Sequence, residues 1–282
     1  MNISKKSNEN ECNVIIDNVP FSFKVIGDFF SGENKTLFQQ KDNLITDTHW
    51  EKDGFSVVKS FNNSQFTGLK ESIKKNIYTG LKKAGIDIPY NEFLLKDYHK
   101  YINSQTTHLK VIEHTRNLRT EDFDIDFEAL ATQLSKHVNS PLTAYIKELK
   151  RSHVQIRLNR PNSLDINPPH RDGYLSYWEN ILNVWIPIEG CNEKSSLPVV
   201  SKSHLIPESK IIRTKAKGAY INGNLYHVPC IIETSDGPLK MTRPNPKEGE
   251  ALIFTPYLIH GAAVNQNKDI TRVALELRFD KL

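Results

Sequence analysis

Near His153 the hydrophobic pattern changes period, and this change restricts the possible architectures more than any other feature of the chain. Before it the spacing is helical. Across residues 64–84, Phe66, Leu69, Ile73, Ile77 and Leu81 recur at three- and four-residue intervals, which predicts a helix started by Ser64 and stopped by Gly85. Phe93, Leu94, Tyr98, Tyr101 and Ile102 predict a second helix over 91–102, and Phe127, Leu130, Ala131, Leu134 and Val138 a third. Ser140-Pro141 reads as the N-cap and first position of a fourth helix ending near Lys150. Upstream, residues 14–30 mix β-branched and aromatic side chains around Pro20 and Gly27 and read as short strands. After His153 come short β-like runs separated by Pro, Gly and Asn: 154–158, 182–188, 197–200, 226–232, 251–254 and 273–279. Helices gathered in one half and strands in the other argue for an α+β arrangement, with helices packed on an antiparallel sandwich or barrel.

Composition narrows the class. At 282 residues, 38% hydrophobic and 25% charged, the chain can bury a core without disulfides, and it has neither the bias of a disordered segment nor that of a coiled coil. A net charge of +4 suits an anionic small ligand and falls short of a nucleic-acid surface. Three widely spaced cysteines without a C-x-x-C pair suggest neither a disulfide framework nor a thiolate zinc site, and a reducing cytoplasm is the expected compartment. No apolar run approaches the ~18 residues that span a bilayer, so neither secretion nor membrane insertion is expected. Residues 1–13 are polar and expected to be flexible; residues 14–282 read as one catalytic domain, helix-rich over 14–150.

His170-Arg171-Asp172 is the first chemical candidate, because residues two apart on an extended segment project to one face and can converge on a metal ion. The triplet alone is weak: about half an H-x-D match is expected by chance, and His49-Trp50-Glu51 has the same form. Its context strengthens it. His260 follows the apolar strand Ala251-Leu252-Ile253-Phe254 and is itself followed by small residues, Gly261 and Ala262. Two histidines and a carboxylate on one face of a metal form the ligand set of non-haem iron(II) oxygenases. Arg272 then heads a strand whose alternation separates Arg272, Glu276 and Arg278 from Val273, Leu275, Leu277 and Phe279, and an arginine there can grip a carboxylate bidentately. Blander readings exist: a surface ion pair for His170 and Asp172, a core histidine for His260, a solvated strand face for Arg278, core packing for Trp185 and a turn role for His204.

One ordered series of motifs runs to the end of the chain. Gln155 and Arg157 lie on a strand, followed by Pro169-His170-Arg171-Asp172-Gly173, Asn183-Val184-Trp185-Ile186-Pro187 and Leu197-Pro198-Val199-Val200-Ser201-Lys202-Ser203-His204; His260 and Thr271-Arg272-Val273 close the series. In this order the chain from about residue 154 resembles the phytanoyl-CoA dioxygenase-like family of iron(II)- and 2-oxoglutarate-dependent oxygenases. The resemblance implies a double-stranded β-helix (jelly roll, cupin-like) with helices on one face, its core in 151–282 and a substrate-covering insertion at about 201–247. It implies that His170, Asp172 and His260 bind iron, that Arg272 holds the distal carboxylate of 2-oxoglutarate, and that Trp185 and Asn183 line the cosubstrate pocket. Gln155, Arg157 and Tyr174 are the residues expected to meet the primary substrate. The implied cofactors are Fe(II), 2-oxoglutarate and O2, with ascorbate as the reductant in vitro. The implied reaction is a hydroxylation, and the presence of Asp172 argues against halogenation.

Lys202, Lys210, Arg213, Lys215, Lys217, Lys240, Arg243 and Lys247, with Arg157 and Arg160 upstream, suggest a basic pocket rim and hence a small polar, anionic metabolite of the sugar or sugar-acid type. Three alternatives stay open: a metal-dependent cupin isomerase or epimerase, an acyl-CoA hydroxylase of the same family, and a non-catalytic sugar- or peptide-binding sandwich.

Overall fold

The structure is a computed structural model that describes residues 9–38, 43–221 and 223–282. The first half contains β1 (Glu9–Ile16), β2 (Val19–Gly27), β3 (Phe30–Ser31) and β4 (Phe55–Lys59), then α1 (Asn63–Lys83), α2 (Tyr98–Tyr101), α3 (Gln105–Thr115) and α4 (Phe127–Leu134). The second half contains β5 (Leu142–Thr143), β6 (Val154–Asn159), β7 (Ile181–Glu189), β8 (Ile211–Arg213), β9 (Ala219–Ile221) and β10 (Asn224–Tyr226). It ends with β11 (Ile231–Thr234), β12 (Leu239–Met241), β13 (Glu250–Phe254) and β14 (Arg272–Lys281).

The largest sheet has the order β4-β13-β7-β14-β5, with β6 also paired to β14, and every pair is antiparallel. Register and period decide what each face carries. Leu275 pairs with Ile156 on one side and Ile186 on the other, and the residues in step with them, including Val154, Leu158, Val184, Val273, Leu277 and Phe279, are buried in one core. That core also holds Phe66, Leu69, Ile73, Ile77 and Leu81 of α1 and Phe127, Leu130 and Leu134 of α4, so the helices cover this face. Each such aliphatic side chain contributes about 1.5–3 kcal/mol by leaving water. One residue out of step, Glu276 pairs with Gln155 and Trp185, Arg278 with Asn183, and Arg272 with Asn159. This opposite face is polar, yet Arg272, Arg278, Asn183 and Trp185 are all buried on it.

The wall across from that polar face is built from single bridges instead of long ladders. Ile231 donates to the carbonyl of Pro169 (2.8 Å), His170 bridges His260, His260 bridges Val199, and Val199 bridges Thr242. Trp185, Leu252, Phe254 and Ala274 of the large sheet pack with Leu197, Val199, Leu258 and Ala263 of this wall. The result is a curled antiparallel double-stranded β-helix with helices on its outer face. The run at 197–200, expected as a strand, forms single bridges only: Val199 exchanges two bonds with Thr242, Val200 donates to the Ile259 carbonyl (2.9 Å), and Pro198, which has no N–H to give, accepts from Gly261 (3.4 Å).

Strands of the expected insertion combine with the front of the chain. β9 pairs with β2 and β12 runs parallel to β1, giving a sheet of order β10-β9-β2-β1-β12, while β8 joins β11 to β3. Cys12, Val14, Ile16, Phe23 and Val25 share a core with Ile211, Ile221, Ile231, Leu239 and Met241. Of the expected flexible stretch, residues 1–8 lie outside the described residues, whereas Glu9–Asn13 do not fray: they are in β1, where Cys12 is fully buried.

Among the helices, α1 starts one residue earlier than its expected cap. Asn62 accepts from the N–H of Gln65 and the Gln65 side chain accepts from the N–H of Asn62, both at 2.9 Å, and this reciprocal box outcompetes Ser64. Gly85 follows the helix at φ +85°, as its stop requires. The expected 91–102 helix shrinks to one tight turn and α2, and α3, capped by Ser104, takes up the following segment. No helix follows Ser140-Pro141. Tertiary partners claim that backbone instead: Leu142 donates to Ser135 Oγ (3.0 Å), Ala144 donates to Glu128 Oε1 (3.0 Å), and Leu142–Thr143 pairs with the end of β14. No helix among the described residues is long and apolar enough to cross a membrane.

Candidate functional site

His170 and His260 meet because the single bridges of the second wall bring their backbones together. The His170 N–H donates to the His260 carbonyl at 2.9 Å and the His260 N–H returns the bond at 3.1 Å. Each ring is then oriented by its own chain. Nδ1 of His170 bonds the Pro168 carbonyl at 2.7 Å, and Nδ1 of His260 bonds the Leu258 carbonyl at 3.0 Å. A carbonyl only accepts, so Nδ1 carries a proton in each ring and Nε2 is the nitrogen turned toward the metal group. Those Nε2 atoms lie 3.4 Å (His170) and 3.9 Å (His260) from the two oxygens of Asp172. The three donor atoms fall within 4.8 Å of one another and all three residues are buried. Metal–ligand bonds of about 2.0–2.2 Å would place facial donors roughly 3 Å apart, so a small closure suffices to enclose a divalent ion.

The electrostatics favour the ligating protonation states. Burial, reinforced by His170, pushes the His260 imidazole down to about 4, so it is neutral near pH 7. Burial alone would raise the Asp172 carboxyl, but Arg278 and the two histidines outweigh that effect and hold it well below the usual carboxylate range. Arg278 Nη2 donates to Asp172 Oδ2 at 3.1 Å, and its guanidinium lies 4.5 Å from the ring centroid of Trp178. Asp172, Asn183, Phe254, His260, Glu276 and Arg278 line one small cavity. Glu276 is ion-paired to Arg157 at 2.6 Å, which brings Arg157 to the edge of this face, and Gln155 is the register partner of Glu276.

Arg272 lies two pleats along β14 from Glu276, only 2% exposed, its guanidinium 5.8 Å from the Trp185 ring centroid. Among the described residues no carboxylate pairs with it, and its Nε–H has no acceptor. Burial lowers its pKa to about 10, which still leaves it cationic at neutral pH. Asn183 Nδ2 and Trp185 Nε1 are likewise buried donors without acceptors. Buried charges are ordinarily paired and buried donors bonded. A dicarboxylate would supply acceptors on this face, so the residues fit a 2-oxoglutarate as well as a divalent metal.

Other sequence expectations resolve differently. Tyr174 points toward the insertion: its hydroxyl donates to Glu208 Oε1 at 3.2 Å and Arg213 covers its ring at 4.3 Å. Arg171 projects away from its flanking ligands and is fully buried in an ion pair with Glu208. His204 bonds the Glu51 carbonyl through Nε2 at 2.8 Å, a structural position. Of the supposed basic rim, Arg160 is ion-paired to Asp165, Arg213 to Glu208, and Arg243 is bonded to the carbonyls of Ser196 and Val264. These guanidinium groups are occupied within the fold. Lys202, Lys210, Lys215, Lys217, Lys240 and Lys247 are exposed. Glu276, Arg278 and Trp178 were not among the expected site residues. The available signal was that Arg272, Glu276 and Arg278 share one face of a strand whose other face, Val273, Leu275, Leu277 and Phe279, is wholly apolar and so belongs to a core.

The profile of the family described as Phytanoyl-CoA dioxygenase (PhyH) matches residues 50–274, well over half the chain. No curated protein sequence matches. Among solved structures, AviO1 from Streptomyces viridochromogenes Tue57 is similar at 16% identity over 82% of this chain and 91% of that one, with a TM-score of 0.46. The apoform of EctD from S. alaskensis is similar at 11% identity over 90% and 85%, with a TM-score of 0.49. The non-heme alpha ketoglutarate dependent epimerase SnoN from nogalamycin biosynthesis is similar at 13% identity over 83% and 80%, with a TM-score of 0.41. With the profile match spanning the His–Asp–His group and Arg272, the chain belongs to the phytanoyl-CoA dioxygenase family and is a non-haem iron- and 2-oxoglutarate-dependent oxygenase.

Proposed function

We propose that this oxygenase hydroxylates a small polar, anionic metabolite at an iron(II) centre held by His170, Asp172 and His260, with 2-oxoglutarate anchored by Arg272. The observation that carries the reading is Arg272, a buried cation without a counter-ion among the described residues, on the same strand face as the contacts of the metal group. Such a charge is costly unless a ligand completes it. Bound iron(II) supplies the oxygen chemistry that couples decarboxylation of 2-oxoglutarate, giving succinate and CO2, to oxidation of an unactivated C–H bond.

The chain's own residues prepare that chemistry. The carbonyls of Pro168 and Leu258 hold both Nε2 atoms inward, and Arg278 fixes the Asp172 carboxylate. Asn183 and Trp185 offer donors to the cosubstrate, while Phe254 gives the cavity an apolar wall. The polar substrate class is supported by the charged and amide groups beside the metal group, Gln155, Arg157, Glu276 and Arg278, where an acyl chain would need apolar surface. The insertion at about 201–247 would cover that substrate.

Anaerobic Fe(II) with 2-oxoglutarate should give a visible charge-transfer band, which neither a cupin isomerase nor a plain binding sandwich would produce. With iron, ascorbate and 2-oxoglutarate, a metabolite extract should then yield a product heavier by one oxygen. Turnover of anionic sugars should exceed that of acyl-CoA esters and weaken with added salt. Absence of the band overturns the metal and cosubstrate assignment; robust oxidation of an acyl chain overturns the substrate class.

A further inference from the structure

Arg278 is 8% exposed and one wall of the cavity that contains Asp172 and His260. A guanidinium presents two pairs of parallel N–H groups, one shared by Nε and Nη2 and the other by Nη1 and Nη2. Asp172 Oδ2 takes one Nη2 hydrogen, so the other pair is left whole. Both Nε and Nη1 of Arg278 are buried without an acceptor among the described residues. The other carboxylate lining the same cavity, Glu276, does not fill this role, because it is ion-paired to Arg157 at 2.6 Å. On its far side Arg278 rests on Trp178, whose ring packs 5.0 Å from His153 and 4.8 Å from Tyr177, a residue 36% exposed. This cluster of tilted and edge-on rings packs against the guanidinium and leads from the buried centre to the surface.

We propose that Arg278 is a second carboxylate anchor, separate from Arg272, which grips a carboxylate of the primary substrate through its free N–H pair and so places the substrate beside Asp172. The inference rests on the reading of the site as an iron and 2-oxoglutarate centre and adds to it the substrate's chemical class, an organic carboxylate. Arg272 and Arg278 are three pleats apart on the same face of β14, roughly 20 Å between their backbones at about 3.4 Å per residue, and among the described residues each has N–H groups without an acceptor. Two such anchors call for two carboxylate groups. Planar bidentate recognition is a property of arginine that lysine lacks, and glutamine lacks its charge as well.

The test uses full-length protein saturated with Mn(II) and 2-oxoglutarate, so that the metal group and Arg272 are filled and no turnover occurs. Monocarboxylates of two to eight carbons are titrated by calorimetry, each beside its own primary amide, into wild type, R278K and R278Q. At least one carboxylate should bind wild type tenfold or more tightly than its amide. R278Q should lose that preference, and R278K should lower it several-fold while keeping Mn(II) affinity within threefold, because the positive charge beside Asp172 persists. Wild type that prefers no carboxylate over its amide, or R278K and R278Q that both bind carboxylates as wild type does, overturns the Arg278 assignment. Failure of wild type to bind Mn(II) and 2-oxoglutarate in the first place overturns the underlying reading of the site, and is recorded separately in the same experiment.

Discussion

The backbones of His170 and His260 hydrogen-bond each other in both directions, at 2.9 and 3.1 Å, although ninety residues separate them in sequence. The two imidazoles are therefore positioned by main chain, and removing either ring leaves the bridge intact. H170A and H260A should abolish iron-dependent consumption of 2-oxoglutarate and high-affinity Mn(II) binding while shifting Tm by only a few degrees. Wild-type turnover in either variant would show that the metal lies elsewhere.

The parts of this site that were legible in the sequence are those with a local signature. His170, Asp172, His260 and Arg272 could be picked out by ligand chemistry and by the alternation of β14, and the structure brings the first three within ligand distance. The helix at α1 was equally plain from its period. What stayed hidden depends on partners distant in sequence. For Arg278 a solvated strand face and a functional role stayed equally open, because nothing local announces Asp172 across from it or Trp178 beside it. Ser140-Pro141 carried a sound local helix signal, yet Glu128 and Ser135 captured the backbone that a helix would have needed. Arg160, Arg213 and Arg243 counted as free positive charge until the fold supplied their acceptors.

Arg272 should behave in opposite ways toward cosubstrate and toward stability. R272A should raise the 2-oxoglutarate requirement by a factor corresponding to about 2–5 kcal/mol, with Mn(II) affinity little changed. R272L, by contrast, removes a buried charge that has no counter-ion among the described residues, so the ligand-free protein should melt no lower than wild type. Titrating 2-oxoglutarate and recording Tm without it separates the two effects. Unchanged 2-oxoglutarate affinity in R272A would place the anchor elsewhere.

Arg171 has the opposite expectation. It is wholly buried, ion-paired to Glu208, and bonded to the Ile206 carbonyl at 3.1 Å, so it ties the ligand segment to the insertion. R171L should cost about 3–5 kcal/mol in urea unfolding, because the bonds to these partners are lost together. A loss under about 1 kcal/mol would mean that Arg213, bonded to the other Glu208 oxygen at 2.8 Å, compensates alone.

Acid should destabilise the protein well before its carboxylates titrate. Burial pushes His108 and His204 down to about 4, and burial together with Arg278 pushes His153 down to about 3. In the unfolded chain each titrates near about 6.5. Between those values the unfolded state binds more protons than the folded one, so stability rises with pH. It should be complete above about pH 6.5 and fall below it, by up to about 1.4 kcal/mol per pH unit for each histidine. Urea midpoints at pH 7.5, 6 and 5 measure this; a flat profile over that range would contradict the burial of these rings.

Gly261 tests how tightly backbone packing controls the metal ligands. It follows His260 at φ +121°, a conformation that L side chains rarely adopt, and a Cβ there would lie 2.4 Å from the Pro168 carbonyl oxygen. That oxygen is the acceptor that orients the His170 ring, so an added methyl must push it away and turn the imidazole with it. G261A should therefore lose about 1–3 kcal/mol of stability and at least tenfold in Mn(II) affinity. Gly237, at φ +95° with no described residue within 4 Å of where a Cβ would stand, provides the control. G237A should show the backbone cost alone, about 1 kcal/mol, and bind Mn(II) as wild type does. If G261A matched G237A in both calorimetry and urea unfolding, the 167–170 segment would have to yield without moving His170, and its carbonyl would not be what aims the ring.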